Sequence, residues 1–188
     1  MAIWWRCVAG WGGADFGRLK LGKYHDLVNM TKKYKGDAHE FFMDLTSWRQ
    51  FKSPHKLDWK RVPFKPESRE LVPKEPGIYV FTTELLNSAL PPHGYILYVG
   101  ITGDGESKSN LRVRYGQYEN KLKNDDGRTA VFYMMDNWRD DLVFNYVPIP
   151  DDGIDLGQIE ADFINAVMPP VNKRDFETTK AAVRQSAF

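Results

Sequence analysis

The sequence predicts an α+β fold: a small, mainly antiparallel sheet flanked by helices, preceded by a mostly helical N-terminal module. The early part of the chain carries helical periodicity. Near Leu71 the pattern changes to short apolar runs bounded by Gly and Pro, alternating with amphipathic stretches. With 42% hydrophobic and 14% aromatic residues in 188, there is enough apolar material for a packed core, unlike a disordered chain.

The elements follow in order. In "GDAHEFFMDLTSWRQF", Asp37 with Glu40 forms a capping-box arrangement ahead of the apolar face Phe41, Phe42, Leu45 and Trp48. A weaker helix is expected before it, through Tyr24, Leu27, Val28 and Tyr34. The segment from Ser53 to Pro76 is rich in proline and charge and reads as a connector. A boundary near Leu71 therefore separates a helical and basic module, residues 1–70, from a second domain, residues 71–188. There "GIYVFTTE", "GYILYVGIT", "TAVFYMMD" and "DLVFNYVPI" read as strands. The stretches "NLRVRYGQYENKLKN" and "LGQIEADFINAV" read as helices, the latter stopping before Pro169 and Pro170.

Composition narrows the function. A net charge of +1 does not announce a polyanion partner by itself. Locally, "FKSPHKLDWKRVPFK" interleaves Lys52, Lys56, Lys60, Arg61 and Lys65 with Phe51, Trp59 and Phe64, a pattern suited either to a nucleic-acid backbone with stacking rings or to a solvated linker. No run approaches the roughly 20 apolar residues of a membrane span, and the N-terminal stretch lacks a cationic region followed by an unbroken apolar one. A cytoplasmic protein without membrane association is expected. Cys7 is the only cysteine, which excludes an internal disulfide and a thiolate zinc cluster. His25, His39, His55 and His93 show neither H-E-x-x-H nor close pairing.

Several separate motifs then fall in one order: "PGIYVF" with Gly77 and Tyr79, "LYVGIT" with Tyr98 and Gly100, "LRVRYGQY" with Arg114 and Tyr118, and "IEADFINAVMPPVN" with Glu160 and Asn172. Together, from about Pro76 to Asn172, they resemble the GIY-YIG nuclease superfamily. Alone, each residue has an ordinary reading as a strand tyrosine, surface cation, solvated glutamate or turn asparagine. The resemblance implies a metal-dependent DNA endonuclease. Tyr79, Tyr98, Arg114, Tyr118, Glu160 and Asn172 become its catalytic residues, Gly77 and Gly100 its motif glycines, and Glu160 the ligand of Mg²⁺, for which Mn²⁺ substitutes. Tyr95, Arg112 and Tyr115 are near misses in register, ranked second.

These residue types suit phosphodiester hydrolysis, which needs a deprotonated water, neutralised phosphoryl oxygens and help for the leaving 3′ oxygen. Hard cations prefer oxygen ligands, a role for Glu160. Arg114 offers a planar fork that stays protonated and matches phosphate. The resemblance assigns Tyr79 to the attacking water and Tyr98 and Tyr118 to the surrounding network. DNA is the expected partner, with Lys56, Lys60, Arg61 and Arg112 on its phosphates; double-strand cleavage would need a homodimer or two visits, and a protein partner of a multi-subunit system would deliver the substrate. A catalytic domain behind about 70 residues of another module is closer to restriction-type relatives, which suggests restriction or antiviral defence.

Two other readings stand beside this one. The fold serves as an inactive DNA-binding or assembly module, or the chain is a nuclease subunit active only within a larger complex. The E-x-K half-motifs "ESK" (Glu106 to Lys108) and "ENK" (Glu119 to Lys121) suit another nuclease class poorly, since one lies in a Gly- and Ser-rich loop and the other on a helix. The segment "VFTTELLNSALPPHGYIL" between the tyrosines is longer than in compact family members, which bears on how its strands pair.

Overall fold

Alternating apolar runs pair into one antiparallel sheet in the computed structural model, which describes residues 41, 43–85, 89–105, 109–124 and 129–172. Its strands are β1 (Lys60–Pro63), β2 (Gly77–Leu85), β3 (His93–Thr102) and β4 (Leu142–Pro148), arranged β1-β4-β2-β3. The helices are α1 (Leu45–Gln50), α2 (Leu111–Asn124), α3 (Thr129–Asn137) and α4 (Leu156–Val167), with a 3₁₀ helix over Pro66–Leu71. Cys7, the helix through Tyr24 to Tyr34, His25, His39, the Asp37–Glu40 capping box, Phe42 and the Glu106–Lys108 motif lie outside the described residues.

Side chains alternate across the pleat, and both faces of β2 are covered. On one face Tyr79, Phe81, Phe144 and Tyr146 pack with Leu111, Tyr115 and Tyr118 of α2 and Val131, Met134 and Met135 of α3. On the other, Ile78, Val80, Val99 and Val147 pack under Leu156, Ile159, Phe163 and Ile164 of α4. That double burial explains the unbroken apolar run in "GIYVF". Asp155 caps α4 by accepting from the Gln158 amide at 2.9 Å. The helix ends at Met168, left-handed at φ 56°, just before the two prolines.

Four local expectations change. "TAVFYMMD" is the helix α3, because Val131, Met134 and Met135 bury one face at helical spacing. Ser53 to Pro76 is more than a connector: β1 pairs with β4, Val62 to Phe144, and the 3₁₀ helix follows. Of the stretch expected to be helical after Asp37, the described helical residues are the six of α1, capped where Asp44 accepts from the Thr46 and Ser47 amides at 3.0 Å each. The chain divides into compact units Met1–Glu40 and Phe41–Phe188, so residues 41–70, β1 among them, belong with the sheet. Despite the long intervening segment, β2 and β3 pair from Gly77↔Thr102 to Leu85↔His93.

Candidate active site

The paired tyrosine–glycine motifs meet directly. Tyr79 on β2 lies opposite Gly100 on β3, and a Cβ at Gly100 would sit 2.4 Å from the Tyr79 hydroxyl. Glycine is what allows that hydroxyl to lie over the edge strand. Gly77 answers a similar demand, since a Cβ there would fall 2.1 Å from the Val147 carbonyl oxygen. Tyr98 lies opposite Phe81, and the register then slips to Thr82↔Ile96, leaving Leu97 as a bulge. Bulges of this kind re-aim neighbouring side chains.

Arg114 and Tyr118 stand one turn apart on α2 and so share a face. The Tyr118 hydroxyl is 2.8 Å from that of Tyr79. The three rings cluster, with centroids 6.2 Å apart for Tyr79–Tyr98 and Tyr98–Tyr118 and 5.9 Å for Tyr79–Tyr118. Glu160 arrives from α4, on the other face of the sheet. A cleft of about 470 Å³ gathers Tyr79, Tyr98, Arg114, Tyr118, Lys121 and Glu160, with Gly100 and Gly157 leaving its wall open.

The electrostatics are uneven. Burial lifts the Tyr79 hydroxyl far above the ordinary tyrosine range, reinforced by Tyr98; the bond to Tyr118 and the Arg114 charge pull it down, and Glu160 pushes it up again. Tyr118 is raised too, by burial and then by Tyr79 and Tyr98. Tyr98 stays half-buried and open to the cleft. Arg114 donates through Nη1 to Gln117 at 3.0 Å, while its Nε is buried without a hydrogen-bond partner. A buried donor in that condition is costly unless a ligand completes it.

Among the described residues no group of three or more His, Cys, Asp or Glu side chains converges as metal ligands. What the cleft offers a cation is the single carboxylate of Glu160. Such a donor set fits a hard divalent ion whose other ligands are water and phosphate oxygens, and it does not fit structural zinc.

Asn172 has a different place from the one expected of a catalytic residue. It is buried, accepts from the Val99 amide through Oδ1 and donates through Nδ2 to the Val99 carbonyl, both at 2.9 Å. Val171 adds an amide bond to the Leu97 carbonyl at 3.1 Å. Because β3 is an edge strand, this side-chain amide imitates the neighbour the strand lacks. Asn172 therefore fixes Tyr98 and Gly100 from behind and does not line the cleft.

The expected DNA-contacting cations are not gathered at the cleft. Lys60 and Arg61 lie on β1, three strand spacings from β3, or about 14 Å. Lys56 pairs with Asp58 at 2.8 Å and Arg61 with Glu84 at 2.6 Å. Arg112 is taken up in fastening α2 to the 3₁₀ helix: its Nε donates to the Val72 carbonyl at 2.6 Å and Nη1 to Glu70 at 2.7 Å, which removes it from the phosphate-contact set. Tyr115 is a core residue whose hydroxyl bonds the Lys65 backbone, and Tyr95 packs its ring on Phe41 at 4.2 Å. Phe64 is likewise core, edge-on to Phe81. His55 is half-buried and His93 exposed, and neither lines the cleft. Glu119 faces Arg69 at 3.9 Å while Lys121 faces the cleft, so the helical E-x-K pattern is divided between two sites.

Lys121 is the residue that motif reading missed. Its ammonium lies 5.4 Å from the Tyr118 ring centroid and gives the cleft a second cation. The signal was its position one turn beyond Tyr118 and two beyond Arg114, on the same helix face.

No protein-family model matches the chain, nor does any curated protein or solved structure.

Proposed function

We propose that the chain is a divalent-metal-dependent phosphodiesterase of the GIY-YIG type that cleaves DNA. One observation carries the reading: Tyr79, Tyr98, Arg114, Tyr118 and Glu160, from two strands and two helices, line a single cleft. The unpartnered, buried Arg114 Nε supports it further, because a phosphate oxygen is an acceptor that a guanidinium suits well.

Glu160 would hold the metal, which when bound would supply positive charge at the scissile phosphate. Arg114 orients the phosphate and Lys121 adds a second cation beside it. Water attacks phosphorus as the bond to the 3′ oxygen breaks; the water proton goes to a tyrosine in its phenolate form, whose own proton has already left to solvent, and the departing 3′ oxygen takes a proton from solvent in the open cleft. Tyr79 is assigned the water. Burial makes its phenolate costly; the Tyr118 bond and the Arg114 charge reduce that penalty without removing it, so the basic form is scarce. Tyr118 fixes the Tyr79 hydroxyl, and Tyr98, open to the cleft, orders the water and carries protons to solvent.

A second reading has its own support. Among the described residues Lys56 and Arg61, two of the cations expected on DNA, are held in ion pairs, and the net charge is only +1. A nuclease subunit whose partner delivers the substrate accounts for that. Incubation of the purified chain with supercoiled plasmid and Mg²⁺ tests both. Nicked circles that vanish in chelator are expected of an autonomous enzyme, whereas intact plasmid with Mg²⁺ and with Mn²⁺ counts against autonomous cleavage.

A further inference from the structure

The cleft leaves unexplained the aromatic and basic run that the sequence interleaves from Trp48 to Lys60. Its rings converge on the other side of α4. Trp48, Phe51, Trp59 and Phe163 wall a pocket of about 410 Å³, with Thr82 and Asn145 at its base on the sheet. Phe163 lies against Phe51 at 5.1 Å and Trp59 at 5.8 Å between centroids. The two indoles remain 43% and 40% exposed, unusual for rings that could have closed over the core. The volume is within the usual range for a small-molecule site, about 300–1,000 Å³.

The pocket is not uniformly apolar. Asn145 Nδ2 donates to Thr82 Oγ1 at 2.8 Å and reaches the Val80 carbonyl at 3.5 Å. Its N–H groups are thus turned to the sheet, and the carbonyl oxygen is what the amide offers a ligand. In sequence each wall residue of the run is followed by a cation: Trp48 by Arg49, Phe51 by Lys52, Trp59 by Lys60, all three exposed. Stacking rings and one hydrogen-bond acceptor match the face and edge of an unpaired nucleobase. An apolar protein side chain would use the rings but not the amide.

We infer that this pocket holds one unstacked base of a single-stranded or locally opened nucleic acid, the base lying between the indoles with a donor on its edge toward Asn145. The inference rests on a nucleic-acid substrate and adds to it that the substrate strand is unpaired near the cut. The cleft takes Gly157, Glu160, Ala161 and Ile164 of α4 and the pocket takes Phe163, Ala166 and Val167, so adjoining flanks of one helix line the two sites.

Binding in chelator keeps this test apart from cleavage. A single-stranded DNA 15-mer carrying 2-aminopurine is titrated with the full chain, and affinity is read by anisotropy and stacking by base fluorescence. Quenching of the analogue is expected. Trp48→Ala with Trp59→Ala should abolish that quenching and weaken single-strand binding by about tenfold or more, within the measured span for one base–aromatic stack. The matched duplex should change little, and Trp59→Phe should largely restore stacking. Asn145→Ala should alter preference among bases more than affinity. An unquenched analogue on the wild-type chain, or no single-strand binding at all, overturns the inference and returns the pocket to protein docking. So does equal weakening of single strand and duplex in the double variant.

Discussion

The two edges of the sheet carry opposite kinds of information. At the β3 edge a glycine opens space, a buried amide closes the strand's free backbone groups, and six polar side chains from distant positions converge. At the β1 edge Arg61 is already paired with Glu84, and exposed Lys60 stands apart from the cleft. The difference teaches that a side chain's charge says little about its task. What matters is whether the fold leaves its interactions incomplete, as with the Arg114 Nε, or completes them, as with Arg112.

The sharpest way to break this comparison is Glu160→Gln. Turnover on plasmid should fall below detection with the melting temperature unchanged, because Glu160 is half-buried on a helix outside the core clusters. Continued cleavage would remove the chemistry from the β3 edge altogether.

Next in size is Tyr79→Phe, which keeps the ring stacked on Phe144 but deletes the hydroxyl over Gly100. Loss of a general base costs about 10²–10⁴-fold in rate, and single-turnover measurements should find it with DNA affinity intact. Tyr98→Phe should lose less; equal losses would transfer the role to Tyr98. Since burial raises the Tyr79 hydroxyl, its basic form is scarce at neutral pH and grows with pH. The wild-type rate should keep climbing to about pH 10, the ordinary tyrosine value, without a plateau. A plateau near neutrality would identify another titrating group.

A smaller effect distinguishes support from chemistry. Asn172→Ala strips two buried backbone groups of Val99 of their partners, at about 1–3 kcal/mol for each group left unsatisfied. The melting temperature should drop several degrees, with the residual rate per folded molecule reduced far less than in Tyr79→Phe. A variant as stable as wild type but inactive would make Asn172 catalytic after all.

The smallest effect is expected at β1. Replacing Lys56, Lys60 and Arg61 by Gln should weaken DNA binding modestly and uniformly and flatten its salt dependence. An unchanged salt slope would make that edge inert.

What was legible in the sequence follows the same division. Strands β2, β3 and β4 and the helix α4 could be read because their burial is written locally, in period 2 or period 3.6. The motif residues gathered in the cleft were singled out by their resemblance to a family's motifs, since no local period marks them. The helix α3 was hidden because Val131, Phe132 and Tyr133 favour strands residue by residue, and only packing against α2 selects the helical face of Val131, Met134 and Met135. β1 was hidden because it buries Val62 alone and exists through its pairing with β4, some eighty residues away. The ion pairs of Arg61 and Arg112 are long-range in the same sense and leave no local signature.

The bulge at Leu97 has a bearing on chain length. Register between β2 and β3 is held on one side of the slip by Tyr79↔Gly100 and on the other by Thr82↔Ile96, and Asn172 anchors Val99 between them. The connecting turn is therefore relieved of setting the alignment, a duty it has in tight hairpins. Extra residues inserted between Pro91 and Pro92, both exposed, should leave the cleft undisturbed. Each doubling of such a loop adds only about 0.6 kcal/mol of closure entropy. That makes the turn a natural port for a tag, a dye or a grafted recognition segment.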